Sequence, residues 1–139
     1  MGAARYATGK IEAKVARPSG RVRPRAGVRS LGLTDERDPL LLGPTGESGR
    51  PVPLIVSLHG AGGDARGGLA LFADAVAERD IVLLAPPSRG RTWDAIAGGR
   101  FGPDVELLDR ALELIFDSFE IDRERVALAG FSDGASYAL

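Results

Sequence analysis

Two glycine-rich segments hold the residues of this chain best suited to covalent chemistry. Gly130-Phe131-Ser132-Asp133-Gly134 sets a serine between two glycines, after the apolar run Val126-Ala127-Leu128-Ala129 and ahead of Ala135-Ser136-Tyr137-Ala138-Leu139, which can begin a helix. A serine on a tight strand-to-helix turn is forced into strained backbone geometry with its hydroxyl above the sheet, and flanking glycines remove the β-carbons that would block that turn. The chemistry would be nucleophilic attack on a carbonyl, with the unpaired N–H groups of the helix start aimed at the oxyanion formed. Shuffling these residues gives about 0.15 such G-x-S-x-G patterns per chain. The pattern therefore draws its weight from the strand before it and the helix after it.

The second segment is His59-Gly60-Ala61-Gly62-Gly63-Asp64, closing the apolar run Leu54-Ile55-Val56-Ser57-Leu58. Its glycines let a loop fold back until a backbone N–H faces the serine, which makes a two-donor oxyanion hole with the N–H that follows the nucleophile. By position those donors are Ala61 and Asp133. Alone, the glycine loop is equally well a plain strand-to-helix turn. Paired with the serine turn it marks one place, because both loops fall on the sheet edge where open α/β sheets bind ligands.

Positioning these loops requires a sheet. Leu54 to Leu58, Ile81 to Ala85 and Val126 to Gly130 are continuous apolar runs, the pattern of strands buried on both faces. Between them, Asp64 can cap a helix over about residues 65 to 79 with Leu69, Phe72 and Val76 on one face. Pro103 can open a helix in which Val105, Leu108, Leu112, Ile115 and Phe119 repeat at three and four, leaving Glu106, Asp109, Arg110, Glu113 and Asp117 to the other face. A polar turn, Asp122 to Arg125, precedes the third run. Strand, helix, strand, helix, strand predicts a parallel α/β sheet. Val28 to Leu33 and Pro39 to Leu42 add two antiparallel strands ahead of it.

Composition narrows the chemistry further. The 139 residues carry a net charge of −1, contain no cysteine and have one histidine, which excludes thiolate nucleophiles, disulfides and Cys-ligated zinc. No carboxylate cluster is spaced to hold a metal, and no cofactor is expected. Residues 1 to 30 hold eight basic side chains against Glu12, a net +7 that leaves −8 for the rest. With Pro18 and Pro24 and no apolar period, residues 1–27 read as a basic, disordered arm, and 28–139 as the folded domain. The arm has one aromatic, Tyr6, and no helical basic stripe, so a nucleic-acid or anionic-surface role is disfavoured. The apolar runs are far shorter than the roughly 20 residues of a membrane span, and no secretory signal pattern opens the chain. A cytoplasmic protein is expected.

Leu58-His59-Gly60-Ala61-Gly62-Gly63, about seventy positions before Gly130-Phe131-Ser132-Asp133-Gly134, resembles the α/β-hydrolase superfamily. The likeness is to its esterase branch of phospholipase/carboxylesterase, dienelactone-hydrolase-like and polyhydroxybutyrate-depolymerase-like proteins, and it covers about residues 28–139. The resemblance implies that Ser132 attacks an ester carbonyl of a small-molecule substrate, with Ala61 and Asp133 as oxyanion donors and His59, Gly60, Gly62, Gly63, Gly130 and Gly134 shaping the supporting loops. It makes His59 a structural residue, not the base. Trp93, in the loop after the second run, would line the acyl or alcohol pocket or else anchor the surface.

The family order is serine, then acid, then histidine, and seven residues follow Ser132 here. The expected architecture is thus the N-terminal portion of a hydrolase sheet with its C-terminal half missing, nearly inert because the acid and base are absent. Three readings stay open: a fragment of a longer hydrolase, one half of a split enzyme, and a noncatalytic ligand-binding module. Each leaves an apolar edge at strand 126–130, open to self-association or to a complementing C-terminal fragment.

Overall fold

A computed structural model describes residues 5–139. Five strands form one mixed sheet: β1 (Val28–Ser30), β2 (Leu40–Leu42), β3 (Val52–Leu58), β4 (Val82–Ala85) and β5 (Ile121–Gly130), in the order β1-β2-β4-β3-β5. β1 pairs antiparallel with β2, and β2 antiparallel with β4. β3 runs parallel to both β4 and β5. Between β3 and β4 lie α1 (Ala65–Ala70) and α2 (Ala73–Val76); between β4 and β5 lie α3 (Asp94–Gly98) and α4 (Pro103–Ser118); α5 (Asp133–Ala138) follows β5.

Alternation along β3 and β4 splits the core into two layers. Leu54, Val56, Leu58, Val82 and Leu84 face α4, where Leu108, Ala111, Leu112, Ile115 and Phe116 close over them. On the other face Leu83 and Ala85 pack with Ala65, Leu69 and Val76. Pro103 stands in the first turn of α4, as its missing N–H allows. Asp64 caps α1, its carboxylate accepting from Gly67 N–H at 3.2 Å.

The single helix expected over 65–79 is broken in two. Gly68 lies so close to β3 that a β-carbon there would meet Ser57 O at 2.7 Å. The Ser57 hydroxyl donates to Gly68 O at 2.7 Å, the carbonyl that would otherwise receive the Phe72 N–H. Phe72 N–H turns instead to Leu69 O at 3.2 Å, a tighter bond that ends the α-helical run.

Of the segment expected as a basic arm, residues 1–4 lie outside the described residues, and residues 6–22 make contacts with the rest of the domain. Ile11, Ala13, Val15 and Val22 pack on the α4 layer of the core. Tyr6 is buried and its hydroxyl donates to Asp109 Oδ2 at 2.7 Å, while the Glu12 and Ala13 N–H groups donate to Asp109 Oδ1 at 2.8 and 2.7 Å. Asp109, expected on the outer face of the helix, is thereby buried. Ser19 and Gly20 N–H reach Asp117 O at 2.8 and 3.0 Å, and Val22 N–H reaches Ser118 Oγ at 3.1 Å. Ile11, Ala13 and Val15 alternate with Lys10, Glu12 and Lys14, a period of two that buries one side of an extended chain.

β5 is an edge strand rather than a fully buried one. Its one neighbour is β3, and Val126 and Leu128 are 46% and 50% exposed. The polar residues Asp122 to Arg125 form a bulge within it, since Ile121 pairs with Val52 and the next pair is Val126 with Leu54.

Candidate functional site

Because β3, β4 and β5 are parallel, the loops that follow them share one edge of the sheet. Ser132 sits there as the residue between β5 and α5, at φ 54° and ψ −118°. A non-glycine residue in that region is strained, and it holds the side chain off the turn. Ser132 is exposed, and its hydroxyl has no hydrogen-bond partner among the described residues.

Neighbouring glycines make the turn possible by close approach. A β-carbon on Gly134 would stand 2.2 Å from Leu58 O and 2.5 Å from His59 O, and one on Gly130 would stand 2.4 Å from the Gly134 carbonyl carbon. α5 therefore rests directly on the end of β3, tied there by Phe131 N–H to Leu58 O at 3.1 Å. A β-carbon on Gly60 would lie 3.6 Å from Ser132 Cβ. The glycine loop after β3 and the serine turn after β5 thus lie close together.

Within the glycine loop, Gly62 at φ 74° turns the chain and donates to Arg91 O at 2.7 Å, and Gly63 N–H donates back to Gly60 O at 3.1 Å. Among the described residues, no backbone acceptor meets the N–H groups of Ala61 or Asp133. The Asp133 carboxylate is turned away, accepting from Thr92 Oγ1 at 2.7 Å.

His59 is 1% exposed. Ser88 N–H donates to its Nε2 at 2.9 Å, which places the proton on Nδ1, and Nδ1 donates to Gly60 O at 2.6 Å. Burial lowers its pKa below the ordinary histidine range. With both nitrogens occupied, the imidazole braces the loops and is not available to deprotonate Ser132.

Trp93 is a core residue at 1% exposure rather than a surface anchor. Its Nε1 donates to His59 O at 2.9 Å, and its ring lies 4.8 Å from His59 and stacks on Tyr137 at 5.1 Å. An indole buries when its single N–H finds a carbonyl, and here that bond joins the loop after β4 to the end of β3.

Sequence reading missed the remaining ties. Tyr137 on α5 donates to Asp94 Oδ1 at 2.6 Å, and burial with that carboxylate raises its pKa well above the ordinary phenol range. Asp94 Oδ2 accepts the Gly102 and Asp104 N–H groups, both at 2.9 Å. Asp104 accepts from Arg89 and Asp94 N–H at 2.6 and 2.7 Å, and burial raises its pKa. These two aspartates close the loop that carries Trp93 and Thr92 beneath α5. Nothing in their sequence neighbourhood signals this, because their partners are backbone N–H groups of a folded loop.

Among the described residues no group of three or more His, Asp or Glu is placed to hold a metal, and no helix is long and apolar enough to cross a membrane. A concavity of about 340 Å³ lies beside the glycine loop, lined by Arg37, Asp64, Arg66 and Pro87 among others. A larger one, about 890 Å³, includes Arg17, Arg50, Glu120 and Arg123 in its lining. It opens at the amino-terminal ends of β3 and β5, away from Ser132.

No protein-family model matches the chain, and no curated protein matches it in sequence. Among solved structures it is similar to a CE1 ferulic acid esterase from Anaeromyces mucronatus in complex with ferulic acid, at 16% identity and a TM-score of 0.44. That match covers 92% of this chain and 58% of the esterase, so the chain spans little more than half the length of that protein.

Proposed function

We propose that this chain carries the nucleophile and the oxyanion hole of a serine ester hydrolase. The observation that carries the reading is the strained, exposed Ser132 at φ 54° close to a glycine loop whose Ala61 N–H meets no backbone acceptor among the described residues. In this mechanism a base takes the Ser132 hydroxyl proton as Oγ attacks the ester carbonyl carbon, and the carbonyl oxygen becomes an oxyanion held by the Ala61 and Asp133 N–H groups. As the carbonyl reforms, the C–O bond to the alcohol breaks and the protonated base returns that proton to the departing oxygen; water, deprotonated by the same base, then hydrolyses the acyl-serine. An oxyanion donor of this kind is worth about 10² to 10³ in turnover.

The sequence holds one histidine, His59, and its engagement on both nitrogens supports a reading in which another group activates Ser132. On this reading the base and its acid are supplied by further polypeptide, covalently continuous or in a complementing partner. The half-exposed Val126 and Leu128 on the β5 edge offer the place where further strands, or a second copy, would pair. Without the base the chain is weakly active at most and can still hold an ester in the cleft.

The experiment supplies the missing base from solution. Release of p-nitrophenol from p-nitrophenyl acetate is followed with and without free imidazole, for the wild type and Ser132→Ala. Release above that of imidazole alone, with an acetyl group on Ser132 by mass spectrometry, is expected for the wild type only. Equal turnover in both proteins would sink the nucleophile assignment.

A further inference from the structure

Two non-glycine residues of the described chain have positive φ: Ser132 at 54° and Arg37 at 50°. The left-handed region disfavours any residue with a β-carbon, and a residue held there is over-determined by its surroundings. For Ser132 the turn supplies the reason. Arg37 belongs to the connection between β1 and β2, which is organised by Asp38; that carboxylate accepts the Leu33 and Thr34 N–H groups at 2.8 and 3.0 Å. Glycine would meet the backbone need at position 37 without strain, so the reason for arginine lies in its side chain.

That side chain reaches the same site as Ser132. Arg37 Nε donates to Ser88 O at 2.8 Å, and Nη2 donates to Gly63 O at 3.1 Å, with Ser88 Oγ at 3.3 Å. In the opposite direction, Arg89 Nη2 donates to the Glu36 and Arg37 carbonyls at 3.1 and 3.0 Å. Besides the bonds of His59 to Ser88 and Trp93, the loop after β3 and the loop after β4 are joined by Gly62 N–H to Arg91 O at 2.7 Å and by the Arg37 guanidinium between Gly63 and Ser88.

We propose that Arg37 is a positioning residue, a guanidinium staple that fixes Gly63 against Ser88 and, through the glycine loop, sets the direction of the Ala61 N–H two residues before it. Its action is through the loop, without contact to the reacting atoms. The planar fork is what the task needs, since an ammonium is a point charge and cannot bridge two carbonyls in fixed directions. The inference rests on the hydrolase reading for its chemistry, but the staple itself is tested apart from that chemistry.

The test is amide hydrogen exchange on wild type, Arg37→Ala, Arg37→Lys and Arg110→Ala, the last removing an arginine that donates to Leu33 O nearby. Both Arg37 variants should raise exchange at Gly62 and Gly63 by about tenfold while β3 and α4 keep wild-type rates; Arg110→Ala should leave the loop unchanged. In parallel, phenylboronic acid is titrated by boron NMR, where a tetrahedral adduct absent from Ser132→Ala reports the oxyanion hole. The Arg37 variants should bind it about tenfold more weakly. Unchanged exchange at Gly62 and Gly63, uniform loosening of the chain, or full rescue by lysine overturns the staple. Should wild type and Ser132→Ala treat the boronate alike, the hydrolase reading fails, while the exchange rates still decide whether Arg37 holds the loop.

Discussion

Replacing Gly134 by alanine attacks the contact on which the site geometry depends. The added β-carbon would stand 2.2 Å from Leu58 O, 2.5 Å from His59 O and 2.6 Å from the Leu58 carbonyl carbon, all backbone atoms without freedom to rotate away. An ordinary carbon-to-oxygen approach is about 3.3 Å, so α5 has to withdraw from the end of β3 by about 1 Å. Overpacking of this kind costs about 1 to 3 kcal/mol, and the withdrawal also stretches the Phe131 N–H bond to Leu58 O, now 3.1 Å. We expect a loss of about 3 kcal/mol, a large share of the 5 to 15 kcal/mol typical of a domain. The assay is urea unfolding followed by the fluorescence of Trp93, the single, buried tryptophan. Gly98→Ala serves as control: nothing lies within 4 Å of its β-carbon position, and alanine there should stabilise by up to about 1 kcal/mol. A Gly134→Ala unfolding free energy within about 0.5 kcal/mol of wild type would refute the close approach of α5 to β3.

His59 predicts a pH effect of definite sign. Its folded pKa lies below the unfolded value of 6.5, so the unfolded chain takes up the proton first; stability present above that value is lost as pH falls toward the folded pKa. The slope is at most about 1.4 kcal/mol per pH unit, and His59→Gln should remove it in urea titrations across that window. Tyr6 is pushed up to about 12 by burial and by its bond to Asp109, and Tyr137 is raised as well. Phenolate absorbance of the folded chain should therefore show no step near pH 10, whereas Asp109→Ala should lower the Tyr6 transition and speed tryptic cleavage after Lys10 and Lys14. Leu128 is 50% exposed on the β5 edge; Leu128→Lys should shift sedimentation toward monomer, and an unchanged profile would argue against association through that edge.

The parts of the site legible from residue types were those fixed by backbone sterics. Gly130, Gly134 and Gly60 mark places where chain segments touch, and an apolar run before a glycine locates the strand ends. The helix of Pro103 to Ser118 was legible because its apolar period is long and unbroken. Residues 65–79 misled because Ser57, a residue of another element, redirects the Gly68 carbonyl. The N-terminal segment misled through its charge: the alternation of Ile11, Ala13 and Val15 was present but short, and the aspartate that holds it is about a hundred residues away. Trp93 lay open between pocket and surface, and its burial depends on a carbonyl, His59 O, supplied by a different loop. Arg37 carried no signal, since a positive φ at a non-glycine residue is written in tertiary contacts.

The most direct measurement is to treat the chain with a fluorophosphonate in the presence of imidazole and map the adduct by peptide mass spectrometry. Phosphonylation at Ser132, with Ser57, Ser88 and Ser136 unmodified, is the predicted result. Modification spread over several serines, or none at Ser132 with the base supplied, would contradict the assignment of Ser132 as a nucleophile held at a preformed oxyanion hole.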